Sequence, residues 1–393
     1  MIEFNDTKIF TDNIDHAALG QLHELDKTGV FKGLPVRIMP DVHAGAGCVI
    51  GFTAPVGDKI IPNLVGVDIA CGMLCVYVGK VDMDYGRLDK VIRENIPSGR
   101  NVGDFSKKTR ELIGQLRCFP HLTDMKRLEC SLGSLGGGNH FIEIDEDDEG
   151  GKYLVIHSGS RNLGKQVAEY YQNLAVKQLR SVDSARIIAE KKASGNEKDI
   201  AAALKALRDS VPKLPANLCY LTGQSLEDYL FDVKVCTEFA YANRYAMARK
   251  IIRHCGLPCD EKKDSFTTLH NYIGEDGYIR KGAICADKGK TVLIPLNMRD
   301  GCIIGVGKGN PDWNYSAPHG AGRIMSRGQA KERLRLEEYE DAMRGIYSST
   351  VSYSTIDEAP FAYKPSEEII ELVKDTVDIT KIIKPVYNYK ASE

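Results

Sequence analysis

Apolar residues fall into two arrangements along the chain. Short unbroken runs, rich in β-branched and aromatic residues and bounded by glycine, occupy 47–53, 73–78, 153–156 and 291–294 and read as buried strands. Glycine crowds around them, at 41–57, 66–79, 133–138, 157–164 and 301–322, where it permits tight turns or close approach of backbone to a ligand. These segments predict sheets whose loops carry the chemistry.

The second arrangement has helical spacing. From Ser225, an N-cap candidate with Asp228 in the first turn, the apolar positions Tyr229, Val233, Cys236, Phe239, Ala240, Met247 and Ile251 mark a long buried helix ending near Gly256. Residues 165–210 are polar, charge-laced and poor in aromatics, which predicts an exposed helical pair. Together, 165–255 reads as a helical insertion in a β-rich body. Further helices are expected at 328–345 and 366–378, the second opened by Pro365-Ser366-Glu367. No Pro/Ser-rich linker, low-complexity tract or repeat divides the chain, so 1–393 is expected to form one large α+β body.

Composition narrows the function. With 393 residues, 43% hydrophobic and 27% charged, the chain is neither disordered nor collagenous. Its 52 Lys+Arg against 54 Asp+Glu leave a net charge of −2, so a polyanion must be held by a local cluster rather than by the overall field. There is no long apolar run, and Met1-Ile2-Glu3-Phe4-Asn5-Asp6 lacks the basic and apolar regions of a signal peptide, which leads us to expect a cytosolic protein without membrane association. Eleven cysteines, an odd and dilute set, read mostly as reduced buried residues.

Polar ligand types concentrate in the glycine-rich segments. Asp41 and His43 lie two apart after Pro40, and on a strand they would share one face, able to orient a site or to make a hydrogen-bonded turn. Asp68 and Cys71, in Gly66-Val67-Asp68-Ile69-Ala70-Cys71-Gly72, can point at one cation, and a carboxylate buried among apolar neighbours needs a partner. Gly136-Gly137-Gly138 leave backbone N–H groups free for an anion, with Asn139 and His140 beside it. His157-Ser158-Gly159-Ser160-Arg161 leads from a strand into a helix whose N-terminus, serine hydroxyls and arginine suit a phosphate.

His270, in Leu269-His270-Asn271-Tyr272, is the plainest of the candidates and on its own resembles an ordinary core histidine. Pro318-His319-Gly320-Ala321-Gly322-Arg323 fixes an imidazole at a tight turn facing a basic helix start. Five of the nine histidines thus fall in such contexts, and three of them with Asp68 and Cys71 can hold one or two borderline divalent metals, Mn²⁺ or Zn²⁺ rather than Ca²⁺ or Mg²⁺. Lys107, Lys108, Arg110, Arg161, Arg323, Arg327 and Lys331 can line a groove for RNA or mark only a solvated face. No phosphate-binding loop of the G-x-x-x-x-G-K-[ST] type, no G-x-S-x-G elbow, no H-E-x-x-H helix and no K-x-D-G motif occurs, so nucleotidyl transfer would use His319.

Read in order, Met39-Pro40-Asp41-Val42-His43, the 65–73 segment ending Asp68-Ile69-Ala70-Cys71-Gly72-Met73, Gly138-Asn139-His140-Phe141-Ile142-Glu143, His157-Ser158-Gly159-Ser160-Arg161, His270-Asn271-Tyr272 and His319-Gly320-Ala321-Gly322-Arg323 resemble the motifs of the RtcB family. These are GTP- and manganese-dependent RNA ligases of tRNA splicing and RNA repair, and the resemblance spans nearly the whole chain. It implies a single RtcB-like catalytic domain over 1–393. Asp68, Cys71, His140, His157 and His270 match metal ligands for two Mn²⁺, with Cys71 bridging, and His319 matches the histidine that carries GMP. Asn139, Glu143, Ala321, Gly322 and Lys390 match the nucleotide pocket, Glu143 as a guanine contact. Arg161 and Arg323 match positions near RNA phosphates.

The implied reaction joins a 3′-phosphate or 2′,3′-cyclic phosphate RNA end to a 5′-hydroxyl end, on tRNA halves or damaged RNA, with an archease-type activator as a candidate partner. Family members often carry Pro-Gly-Ser-Met where this chain has Pro295-Leu296-Asn297-Met298-Arg299-Asp300-Gly301, so the nucleotide pocket is expected to differ there. The same residue set also suits a dinuclear phosphoesterase acting on RNA ends, with His319 as general acid, or an RNA-end binding protein with a structural metal.

Overall fold

The computed structural model describes residues 1–180, 184–210 and 213–391. Two sheets organise it. The larger has seven strands in the order Ser265–Leu269, Gly72–Gly79, Lys152–Ser158, Phe141–Glu146, Val377–Lys390, Gly301–Gly307 and Thr291–Asn297, every neighbour antiparallel. The smaller has six, in the order Ile2–Phe4, Thr7–Ile9, Val36–His43, Ile50–Pro55, Tyr278–Lys281 and Asn271–Ile273. Ser265–Leu269 belongs to one sheet and Asn271–Ile273 to the other, so His270 is the single residue between them. This is the mixed α/β body expected from the alternation of apolar runs and helical stretches.

Helix Gly223–Cys255 packs between the layers. Its Tyr229, Val233, Cys236, Phe239 and Ala240 join the core around the smaller sheet, while Met247, Ala248 and Ile251 join the core behind the larger one. Each large apolar side chain so buried contributes roughly 1.5–3 kcal/mol. The helix ends where expected, at Gly256 in the left-handed region (φ +67°), but starts earlier than Ser225. Its N-cap is Thr222, the last residue of a short strand paired with Lys59–Ile60, so the chain passes from sheet to helix without a side-chain cap.

Other boundaries moved for local reasons. The 165–210 segment is helix at Arg161–Arg180, Ser184–Ala193 and Ile200–Ser210, with 181–183 outside the described residues. Arg161–Arg180 buries Leu163, Val167, Tyr171 and Ala175, so this helix, like Gly223–Cys255, packs one face into the core. The helix expected at 328–345 is two, Arg327–Arg333 and Leu336–Ala342, because Leu334 and Arg335 are extended. The helix expected at 366–378 stops at Leu372, and after a short 3-10 turn the β-branched residues from Val377 onward pair with Gly301–Gly307 instead. The strand read at 47–53 runs from Ile50 to Pro55. No helix among the described residues is long and apolar enough to cross a membrane.

Candidate active site

The larger sheet aligns four candidate ligands at one end. Cys71 precedes strand Gly72–Gly79, His140 precedes Phe141–Glu146, His157 lies near the end of Lys152–Ser158, and His270 follows Ser265–Leu269. The register sets Met73 and Phe141 opposite His157, and Gly72 opposite both Ser158 and Leu269. The side chains therefore converge. Cys71 Sγ lies 3.4 Å from His140 Nε2 and 3.2 Å from His157 Nε2, His157 Nε2 lies 3.3 Å from His270 Nε2, and Asp68 Oδ2 lies 3.0 Å from His140 Nε2.

The rings are oriented from behind. His140 Nδ1 is 2.9 Å from the Leu135 carbonyl and His157 Nδ1 is 3.1 Å from that of Asn139, so both rings are held with Nε2 turned inward. Burial holds His157 and His270 well below the ordinary imidazole range, hence neutral. Burial pushes the Asp68 carboxyl up, but the hydrogen bond and charge of His140 and the charge of Arg161 outweigh it, leaving it below the usual range. Asp68 Oδ1 is buried without a partner. A thiol, the inward Nε2 atoms of three imidazoles and an orphaned carboxylate oxygen converge on one another, and this donor set fits a divalent cation of borderline softness.

The long helix supports this end of the sheet. Arg244, fully buried, donates to the carbonyls of Ala70 (3.1 Å) and Ser158 (2.7 Å). Asn243 accepts from the N–H groups of Gly133 and Ser134 and donates to Ser134 O, Ser158 Oγ and Gly159 O. Both fall on the apolar stripe of the helix, and a polar pair interrupting such a stripe was the available clue to them.

His319 enters on a second scaffold. Strand Ser316–Pro318 pairs with Ala283–Cys285 and ends at Pro318, and the same ribbon holds His270 through the Gly282 N–H (2.5 Å). The His319 and His270 rings are 4.9 Å apart. Asp41, fully buried on strand Val36–His43, accepts through Oδ2 from the His319 backbone N–H (3.1 Å) and from Nδ1 (2.5 Å). That leaves Nε2 as the free nitrogen of a partly exposed imidazole. Gly322 (φ +74°) brings the turn so close to Asp41 that a Cβ would stand 2.3 Å from its carbonyl oxygen.

A cavity of about 920 Å³ opens over His157, His270 and His319. Asn139, Glu143, Ala321, Gly322, Arg323 and Lys390 also line it, as do His43 and the 295–298 loop. Lys390 Nζ bonds to the Asn139 carbonyl (3.0 Å) and to Glu358 (2.8 Å). Burial drives the Glu358 carboxyl up, but Lys390, Arg327 and Arg323 reverse this and hold it down at about 2. Glu358 carries no motif in the sequence, and only the folded chain reveals it as the hub of these cations. The 297–301 turn is closed by Asn297 Oδ1, which accepts from the N–H groups of Arg299 and Asp300 at 3.0 Å.

Several expected roles changed. Ser158 and Ser160 face inward, donating to Leu135 O and Ile69 O, so their hydroxyls do not form a phosphate site. Gly136 serves a close approach, since a Cβ there would stand 1.9 Å from the Arg161 guanidinium. Arg161 lies with Nη1 3.3 Å from His140 Nδ1, beside the ligand cluster. Arg323 is engaged by Glu358, the Asp357 carbonyl and Tyr363. Arg110 pairs with Glu129 and Lys107 with Glu111, and of the seven cations Arg323 and Arg327 line this cavity.

The family profile described as tRNA-splicing ligase RtcB matches residues 24–122 and 117–391. The RNA-splicing ligase RtcB of Escherichia coli K12 is 28% identical, the match covering 89% of this chain and 88% of that protein. The tRNA-splicing ligases RtcB of Aeropyrum pernix and Thermococcus kodakarensis are each 26% identical, covering 88% and 86% of this chain and 85% and 83% of their own. Because the match to the family profile runs over nearly the whole length, the chain belongs to the RtcB family of tRNA-splicing ligases.

Proposed function

We propose that this RNA ligase joins RNA 3′-phosphate or 2′,3′-cyclic phosphate ends to 5′-hydroxyl ends, with GTP as the co-substrate and His319 as the nucleophile. One observation carries the reading: His319 Nδ1 is held by a buried carboxylate while Nε2 is left free at the wall of a cavity that His157 and His270 also line. A neutral imidazole with its Nδ1 proton fixed on Asp41 keeps its Nε2 lone pair for attack, and the carboxylate stabilises the positive charge that develops on the ring. Nε2 bonds to the α-phosphorus of GTP as pyrophosphate leaves. A 3′-phosphate oxygen of the RNA then takes the GMP and frees His319, and the 5′-hydroxyl displaces GMP from the activated end. A cyclic phosphate is first opened by water, which adds to phosphorus as the 2′-oxygen leaves and becomes the 2′-hydroxyl.

Asp68, Cys71, His140, His157 and His270 would hold two Mn²⁺, which when bound neutralise phosphate oxygens as Lewis acids. Lys390 offers a cation inside the pocket, and Asn139, Glu143, Ala321 and Gly322 line the space for the nucleotide, with Glu143 the candidate for the guanine edge. Arg323, anchored by Glu358, and Arg161, beside His140, are the candidate RNA-phosphate contacts. Leu296 and Asn297 replace the usual Gly-Ser at the cavity wall, which supports a divergent branch that repairs broken RNA rather than maturing tRNA. An archease-type protein is the proposed activator. Eleven free cysteines support a cytoplasmic setting.

Incubation with [α-³²P]GTP and Mn²⁺ tests the assignment. Wild type is expected to acquire an acid-labile, alkali-stable label, and His319→Ala to acquire none while keeping its bound metal. Label persisting in His319→Ala moves the nucleophile elsewhere, and RNA-end hydrolysis without any label in wild type makes the chain a phosphoesterase.

A further inference from the structure

Beneath the nucleotide cavity, the interior of the larger sheet holds a second set of ligand atoms. Glu143 and Asp145 lie two apart on strand Phe141–Glu146 and so face the same side. Cys302, on strand Gly301–Gly307, faces them. One ligand atom from each of the three lies within 4.8 Å of the others. All three are buried, Asp145 and Cys302 completely, and Cys302 packs among Met73, Val155, Leu293 and Ile383. Cys302 Sγ is 3.5 Å from Glu143 Oε1, and the Asn388 amide donates to Oε2 at 2.8 Å.

The oxygens left over are what point to a ligand. Neither oxygen of Asp145 has a hydrogen-bond partner, and neither does Oδ1 of Asn388. A polar group buried without a partner is costly. A cation removes the deficit at one stroke, because it accepts lone pairs where no donor exists. Two carboxylates and a thiolate suit a borderline ion such as Zn²⁺ or Co²⁺ rather than Mg²⁺. Glu143 and Asn388 line the cavity, which supplies an entry path.

We propose that Glu143, Asp145 and Cys302 bind one divalent cation of borderline softness, separate from the Asp68–Cys71–histidine set and sharing no residue with it. Binding expels the Cys302 thiol proton and the Asp145 carboxyl proton, two positive charges out for two in. It uses Glu143 Oε1, the atom facing Cys302, and leaves Oε2 with the Asn388 amide. The cation does not depend on the ligase reading, since its occupancy can be measured without RNA or GTP.

Co²⁺ is the probe, added to the full-length chain after stripping with chelator. In Cys71→Ser a near-ultraviolet thiolate-to-cobalt band should remain, and in Cys71→Ser/Cys302→Ser it should vanish. Elemental analysis of dialysed protein should show one fewer ion per chain in Asp145→Asn than in wild type. Cys302→Ser alone should keep the ions of the Asp68–Cys71 set, which certifies that the variant is folded. No band in Cys71→Ser, a band indifferent to Cys302, or equal metal content in Asp145→Asn and wild type would each overturn the site and leave an acid pair that merely holds a proton.

Discussion

Asp41→Asn isolates the orientation of His319 from everything else in the site. The two side chains have the same shape, Asp41 is fully buried, and it receives two hydrogen bonds from one residue, the His319 backbone N–H at 3.1 Å and Nδ1 at 2.5 Å. The carboxamide can replace the first bond. For the second it offers either a neutral oxygen or an N–H, and an N–H forces the proton onto Nε2, the nitrogen that must attack. Loss of a charged hydrogen bond alone amounts to about 1.5–3 kcal/mol, roughly 10- to 150-fold in rate, and the wrong tautomer in a comparable hydrolase triad costs about 10⁴-fold. The expected fall in the guanylylation rate is therefore on the order of 10²- to 10⁴-fold, read in single-turnover labelling with [α-³²P]GTP at saturating Mn²⁺. Metal content should not change, because Asp41 touches none of the cluster ligands. A rate within about threefold of wild type would show that the buried carboxylate neither sets the tautomer nor stabilises the charged ring.

Two further changes probe the supports. Glu358→Gln removes a carboxyl held at about 2 against an ordinary 4.5, worth about 3 kcal/mol at neutral pH. Because the folded value is depressed, that stability is present above about pH 5 and fades as the pH falls toward 2. Glu358→Gln should thus melt lower at pH 7 and show a flatter acid-unfolding profile, together with a raised KM for GTP as Lys390 loses its anchor. Equal acid profiles would refute the role. Asn243→Ala strands the N–H groups of Gly133 and Ser134 and the carbonyls of Ser134 and Gly159, and we expect a loss of about 3–5 kcal/mol in denaturant unfolding. A loss below about 1 kcal/mol would mean that the surrounding backbone finds other partners.

What the sequence determined by itself is the local part of the design. Ligand residues next to glycines and at the ends of apolar runs are recognisable because strand termini are where side chains meet a cavity and where backbone must turn, and both demands are written within a few neighbouring residues. The long helix was legible for the same reason, from Tyr229 to Gly256, since a 3.6-residue stripe is a local signal. Its first turn was not, because the preceding strand pairing with Lys59–Ile60 set the start. Nor was the end of the helix after Ser366, because pairing with Gly301–Gly307 claimed the residues from Val377.

The tertiary structure alone decided the pairings between distant segments. Asp41 and His319 are 278 positions apart, and Lys390 meets Asn139 across 251. Nothing near Glu358 in sequence announces three cations, and nothing near Ser158 or Ser160 says that their hydroxyls turn inward. Sequence patterns report which face a residue occupies, whereas the partner waiting on that face is chosen by how two sheets, one long helix and a short ribbon close upon each other.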